Sequence, residues 1–547
     1  MIGTLDVTRR QQRTILAAYL TAFVIGIPYW WKITTIPRAA LPNRDISNLA
    51  QQTDLHIPLT FAWDPSCSAA PAVAKWPPSP GASAISAEAV QDELNAQWTD
   101  PTRKLVANPS WTLTAKPRVI AHDPQAQAAG SAVIARVCAI SVEAGGENVR
   151  AVKVATNGAV GIVATKASDV ASALAALATH LAAHMANPPK SMHFSHQYEI
   201  LLSLMIQNPA ATPIRTWSIE PALHQTLSPL LTHLLGNPHR FKLVTQIQYL
   251  ADPGEGVDLP VPPTHGAIYD RIVKDPETGE WIEKPAPEPP VQPVRIPMDQ
   301  LPLFVNPDWN LESVTPNHSA VHLITYVPDP RTPMWVLDEA GSEVEGNAFL
   351  LPRWGGVVVR NMQRGTKTVE EAVVMDLSRA WVAHLRELFG VSMLRGKVTV
   401  NGHRIEFPSN SATSITATEI TMHHLSQYAV HISEASATLQ ALIRLTDSQD
   451  NLPISRKIAA LVKSSLATVQ VALDPTADTA MSVLDRFQKA WDARREAELA
   501  FFDSEMVGLA YFPSEHTYAV YMPLFVPVFV TVLVVVVKEA KLMRAKK

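Results

Sequence analysis

Two long apolar runs bracket the chain. They cover residues 14–33 and 516–537. Each has basic residues on its outer side: Arg9, Arg10 and Arg13 before the first, and Lys538, Lys541, Arg544, Lys546 and Lys547 after the second. A helix of about 20 apolar residues rises about 30 Å, the thickness of a bilayer core, so each run predicts a membrane-spanning helix. Positive charge stays preferentially on the cytoplasmic side. Residues 1–13 and 538–547 are therefore expected in the cytosol, and residues 34–515 on the opposite face. A cleavable secretory signal would carry small residues just after its apolar run. Here Pro28-Tyr29-Trp30-Trp31-Lys32 follows instead. Trp30 and Trp31 suit the membrane–water interface, which predicts an uncleaved anchor. In the second run Pro523 and Pro527 introduce a kink that a spanning helix tolerates.

Between the runs the pattern changes several times. Residues 34–124 are mixed, with a Ser/Pro/Ala-rich loop over 65–84 and a helical piece over 85–98. Residues 125–251 alternate. Strands are predicted at 133–140, 149–156, 159–165, 198–207 and 241–250, with helices at 168–186 and 219–235. Gly236 stops the second of these helices. Residues 252–307 read as a proline- and charge-rich surface insertion, in which 285–290 favours polyproline II. Residues 308–410 hold strands at 321–327, 334–337 and 356–360. A helix at 369–389 closes at Gly390, and a hairpin turns at Asn401-Gly402. Residues 411–507 are helical over 420–445, 454–473 and 479–502, broken at Pro453 and Pro475. The predicted fold is an α/β or α+β ectodomain with a long helical C-terminal part, flanked by one transmembrane helix at each end.

Composition adds little except in proline. The 547 residues are enough for two or three domains, and the net charge of −4 carries no nucleic-acid signature. Forty-four prolines stand against 22 glycines. They gather over 58–124 and 253–307, which predicts extended surface chain there rather than packed sheet. The two cysteines are Cys67 and Cys138. An oxidising compartment would let them pair, but their spacing does not decide between a bridge and two free thiols. Asn317-His318-Ser319 is an acceptor triplet and marks Asn317 as a glycosylation candidate.

The search for chemistry yields no catalytic, metal or cofactor residue. His180 and His184 stand four apart on one predicted helix, the spacing for a shared metal. The metalloprotease glutamate is missing between them, so a helix-packing role is the reading, with His193 and His196 close by. His423, His424 and His431 are read in the same way. There is no Gly-x-Ser-x-Gly elbow, no Walker loop and no Gly-x-Gly-x-x-Gly turn. Neither Cys67 nor Cys138 sits in a caspase-type string. In Pro352-Arg353-Trp354-Gly355-Gly356 the glycines predict a tight turn or bulge leading into a strand, with Trp354 as a buried packing anchor. A membrane-tethered lumenal hydrolase or transferase with a non-standard site is the competing class.

Residues 26–35, which contain Gly26-Ile27-Pro28-Tyr29-Trp30-Trp31-Lys32, are followed by Arg38-Ala39-Ala40-Leu41-Pro42. This string resembles the start of the PIG-S family, a subunit of the glycosylphosphatidylinositol (GPI) transamidase. Residues 347–356, which end in Pro352-Arg353-Trp354-Gly355-Gly356, are similar to that family's second hallmark string. Ile33 and Ala40 are small departures, and residues 252–297 have no counterpart in the pattern. The resemblance implies residence in the endoplasmic reticulum membrane, with two spans and the bulk of the chain lumenal. It implies a non-catalytic role supporting assembly and the transfer of the anchor through the carbonyl (acyl-enzyme) intermediate. The partners it implies are a caspase-like cysteine protease subunit (PIG-K), PIG-T, PIG-U, a Gaa-type subunit and membrane lipids, with no nucleic acid and no cofactor.

Overall fold

The computed structural model describes residues 38–65, 79, 82–99, 103–122, 133–140, 151–189, 192–255, 257, 272–274, 281–283, 291–311, 319–408, 415–449, 452–474, 481–504, 506 and 514–544, together with scattered positions between 11 and 28. The chain divides into two compact units. The larger takes Asp54–Val430 with Pro475–Lys489, and the smaller takes Met1–Thr53, His431–Asp474 and Ala490–Lys547.

The larger unit is α/β and is built on two main sheets. The eight-stranded sheet runs, in spatial order, Gly396–Val400, His403–Phe407, Ala151–Val154, Ala159–Val163, Val133–Ile140, Asp54–Trp63, Thr112–Ala121 and Arg103–Lys104. Its centre is parallel, and three antiparallel pairs lie toward its ends. The five-stranded sheet runs Ala348–Leu351, Gly355–Val359, Ser319–Val327, Tyr198–Ile206 and Phe241–Tyr249. All of its pairs are parallel except the hairpin at the Ala348–Leu351 edge. Tyr198–Ile206 is buried at every position. A strand covered on both faces needs such an unbroken run, and this one is apolar except at Glu199 and Ser203.

Helix Ala167–Ala186 follows the expected periodicity and buries Val170, Leu174, Leu177, Leu181 and Met185. Helix Glu371–Leu388 buries Val374, Leu377, Trp381 and Leu385. The segment expected as a single helix over 219–235 is composite. A π-helical turn, Leu223–Leu227, separates Glu220–Ala222 from Ser228–Leu235, and the left-handed Gly236 closes it. Asn401 and Gly402 both take positive φ between the strands of the last hairpin.

Two expectations from the sequence are corrected, and one feature of the large sheet goes beyond them. The 34–124 stretch contains buried strands of the large sheet, Asp54–Trp63 and Thr112–Ala121, despite Pro58 and Pro117. Val133–Ile140 joins Asp54–Trp63 only from Thr60 onward, so one edge of Pro58 needs no ladder bond. The proline-rich insertion over 252–307 is not all surface. Val294–Ile296 pairs with Met334–Val336, and Val257, Leu301 and Phe304 enter the core. Finally, the eight-stranded sheet takes strands from both the 125–251 and the 308–410 stretches, and from 34–124 as well.

The smaller unit is helical. It holds helix Ala417–Ser448 from His431 on, helix Arg456–Leu473, helix Val483–Phe501 from Ala490 on, and helix Asn43–Leu49. Ser455 caps the second of these by accepting from the Ile458 N–H. Among the described residues no helix is long and apolar enough to cross a membrane. Of the spans expected over 14–33 and 516–537, the first contains positions outside the described residues, and in the second several side chains lie outside them. Helix Ser514–Arg544 nonetheless runs through the C-terminal segment and exposes Val526, Phe529, Val530, Leu533 and Val534.

Candidate functional site

The hallmark string over 347–356 forms the hairpin at one edge of the five-stranded sheet. Asn347 opens it with φ 48°, a conformation asparagine tolerates better than most residues. Its buried amide donates to the carbonyls of Met334 (2.9 Å) and Val359 (3.1 Å) and accepts from the Val336 N–H (2.8 Å). One side chain thus joins the hairpin to the strand Met334–Val336. Phe349 drops into an aromatic cluster, 5.5 Å from Phe304, which lies 5.0 Å from Tyr326. Trp309 stacks on Tyr326 at 5.7 Å.

The turn itself is Leu351-Pro352-Arg353-Trp354, closed by the Trp354 N–H on the Leu351 carbonyl (3.2 Å). Proline at the second position and a left-handed third residue are the marks of a type II turn. The left-handed residue is Arg353, at φ 63°, and not a glycine. The expected reason for Gly355 and Gly356 is therefore replaced by another, close approach. A Cβ on Gly355 would lie 2.0 Å from the His322 carbonyl oxygen on the neighbouring strand. A Cβ on Gly356 would lie 2.1 Å from Nδ1 of His384 on helix Glu371–Leu388. The glycines let the hairpin seat against a strand and a helix at once.

Trp354 is half-buried rather than buried. It packs on the cluster around Phe349 and stacks on His322, with ring centroids 4.6 Å apart and planes at 25°. Burial holds both His322 and His384 at a pKa of about 4, so both are neutral at pH 7. Each leaves its Nδ1 without a hydrogen-bond partner. Arg353 is exposed and reaches His193 Nε2 at 3.4 Å. The hairpin is thus clamped between a strand and a helix, with Trp354 half-buried and Arg353 exposed. Half exposure puts the expected cost of Trp354→Ala at about 2 kcal/mol, roughly half the core value. Gly356→Ala, driven against a buried imidazole, is expected to cost about 1–3 kcal/mol. Thermal unfolding of the full chain checks both, and a Trp354→Ala protein that melts normally yet loses its partners would assign Trp354 to binding instead.

Trp30, Trp31, Asn317 and Cys67 lie outside the described residues. Cys138, on strand Val133–Ile140, is disulfide-bonded. His180 and His184 sit 4.7 Å apart, ring to ring, and burial lowers the pKa of both, His180 to about 4. Among the described residues no group of three or more His, Cys, Asp and Glu side chains is placed to hold a metal.

A second constellation has no counterpart in the sequence reading. Arg386 and Glu419 form an ion pair with both side chains 1% exposed. Glu419 also accepts from the backbone N–H groups of Leu394 (3.0 Å) and Thr416 (2.8 Å). The Thr416 hydroxyl in turn accepts from the Glu419 N–H (3.3 Å). Thr416-Ala417-Thr418-Glu419 is thus a capping box at the start of the longest interior helix.

The described chain thus consists of an α/β unit and a helical unit that takes residues from near both ends of the chain. A family profile described as phosphatidylinositol-glycan biosynthesis class S protein matches residues 17–546. The chain belongs to the PIG-S family. It is 26% identical over 567 residues to the human GPI-anchor transamidase component PIGS, covering 97% of this chain and 95% of that one. It is 23% identical over 554 residues to the Schizosaccharomyces pombe GPI transamidase component PIG-S homolog, covering 98% and 85%. A shorter likeness, 21% over 192 residues, links it to the Saccharomyces cerevisiae GPI transamidase component GPI17.

Proposed function

We infer that this chain is a non-catalytic subunit of the GPI transamidase of the endoplasmic reticulum. In this role it supports assembly of the complex and transfer of the anchor through the carbonyl intermediate. The observation that carries this reading is the family match over nearly the whole chain, together with relatives whose names place them in that enzyme. The hallmark hairpin agrees with it, since it is built for packing. The expected partners are the caspase-like subunit PIG-K, PIG-T, PIG-U and the Gaa-type subunit. Gentle detergent extraction of the tagged full chain is expected to bring them down together. Recovery of the chain alone, with turnover of an ester or amide, would instead make it a hydrolase.

One helix at each end, over 14–33 and 516–537, holds it in the membrane with residues 34–515 lumenal. The apolar exposed side of helix Ser514–Arg544 and the basic residues outside both runs support this topology. Tags at both termini are expected to be open to protease in intact microsomes, with the interior protected. A protected C-terminal tag would sink the double anchor. Asn317 is expected to carry a glycan, and an unchanged gel mobility after glycosidase treatment would reject that.

A further inference from the structure

Several features of the helical unit gather at one end of it. Arg38, a few residues after the N-terminal apolar run, bridges to Ile454, and its guanidinium donates to the Thr446 carbonyl (2.7 Å). The Ala39 N–H donates to the Ile454 carbonyl (2.8 Å). Asn43 reaches Asp447 (3.4 Å). Ile454 leads directly into helix Arg456–Leu473, whose Lys457 pairs with Asp503 at 3.7 Å. Asp503 follows the end of helix Val483–Phe501. The helices Arg456–Leu473 and Val483–Phe501 run antiparallel, because Ser465 also donates to the Ala493 carbonyl (2.7 Å). The exit from the first apolar run and the approach to the second therefore lie at the same end of one bundle.

That end is dressed for an interface. Phe502 is 67% exposed and Leu499 41% exposed. Phe501 meets Phe502 edge to face at 4.9 Å. Lys457, whose side chain is 77% exposed, is held at this end by Asp503, and the exposed Arg456 precedes it in the chain. Exposed aromatic and aliphatic groups bordered by basic residues fit the boundary between acyl chains and headgroups. An aqueous surface gives Phe502 no such partner.

We propose that this end of the helical unit, with Phe502 and Leu499 at its tip, rests in the interfacial layer of the bilayer, and that Lys457 and Arg456 face lipid phosphates. The proposal rests on the two-anchor reading above. The chain itself argues for lipid as the occupant, since helix Ser514–Arg544, with its apolar exposed side chains, follows Phe502 closely. The contact fixes the unit against the membrane at two anchors and a face, which holds it as a rigid platform rather than on two tethers.

The test is site-directed spin labelling of the full chain, co-purified with its partners and placed in lipid nanodiscs. Phe502→Cys carries the nitroxide, with Leu499→Cys as a second site should the first lower the yield. Val530→Cys in helix Ser514–Arg544 and Leu250→Cys on the α/β unit, 74% exposed, are the references. The unsubstituted chain is the labelling blank. The ratio of oxygen to nickel-chelate accessibility at Phe502 is expected to exceed that at Leu250 severalfold and to fall below that at Val530. A ratio at Phe502 equal to that at Leu250, with Val530 still lipid-exposed, would overturn the interface contact and leave the anchors standing. An aqueous ratio at Val530 as well would overturn the anchor reading and the contact with it.

Discussion

Glu419→Ala is expected to cost the folded chain about 3–5 kcal/mol, the scale for breaking a buried ion pair by removing one partner. Both members are 1% exposed, so the Arg386 guanidinium would stay buried without the Glu419 carboxylate that pairs with it. The same carboxylate accepts from the Leu394 and Thr416 N–H groups, and both donors would be orphaned inside the protein. Loss of the capping box adds about 1 kcal/mol at the helix start. Domains are stable by only about 5–15 kcal/mol, so the variant should fall in abundance and take its complex with it. The double change Arg386→Met with Glu419→Leu is expected to recover the part of the loss that comes from the unpaired guanidinium, but not the part from the orphaned Leu394 and Thr416 N–H groups and the lost cap. Denaturant unfolding of the single and double variants measures this. A single variant within about 1 kcal/mol of the parent would show that the pair carries little weight.

Neither the capping box Thr416-Ala417-Thr418-Glu419 nor its Arg386 partner was read from the sequence. Nothing in the spacing of Arg386 and Glu419 brings them together. The contact depends on how helix Glu371–Leu388 lies against the start of helix Ala417–Ser448. Elsewhere the fold was legible in part. Helices Ala167–Ala186 and Glu371–Leu388 were legible because their apolar positions repeat at helical spacing. Strands Asp54–Trp63 and Thr112–Ala121 were not, because Pro58 and Pro117 lower local strand propensity while tertiary pairing overrides it. A turn at the Trp354-Gly355-Gly356 string was legible, but the reason for its glycines was not. Close approach to His322 and His384 is a property of two distant segments, whereas the turn conformation fell on Arg353.

The remaining large effect is expected in acid. His384, His423 and His424 are buried in the α/β unit. Burial is the leading cause that lowers their pKa values to about 4, about 3 and about 4, from 6.5 in the open chain. His424 stacks on Phe487 at 4.7 Å and holds the His233 carbonyl at 2.7 Å through Nε2. For such groups the unfolded chain binds more protons than the folded one between the two pKa values. Stability is therefore full above pH 6.5 and falls as the pH drops toward 4. Each histidine contributes a slope of about 1.4 kcal/mol per pH unit in that window, so the three together give about 4 kcal/mol per unit. This slope is enough to unfold a domain of ordinary stability before pH 4 is reached. His424→Phe keeps the stack on Phe487, removes one titrating group and gives up the hydrogen bond to His233. It is expected to be less stable than the parent at pH 7.5 and to lose less on acidification, so the two unfolding curves converge as the pH falls. Unfolding midpoints taken from pH 7.5 to 4.5 decide the matter, and parallel pH profiles for parent and variant would show that His424 takes no part in the acid response.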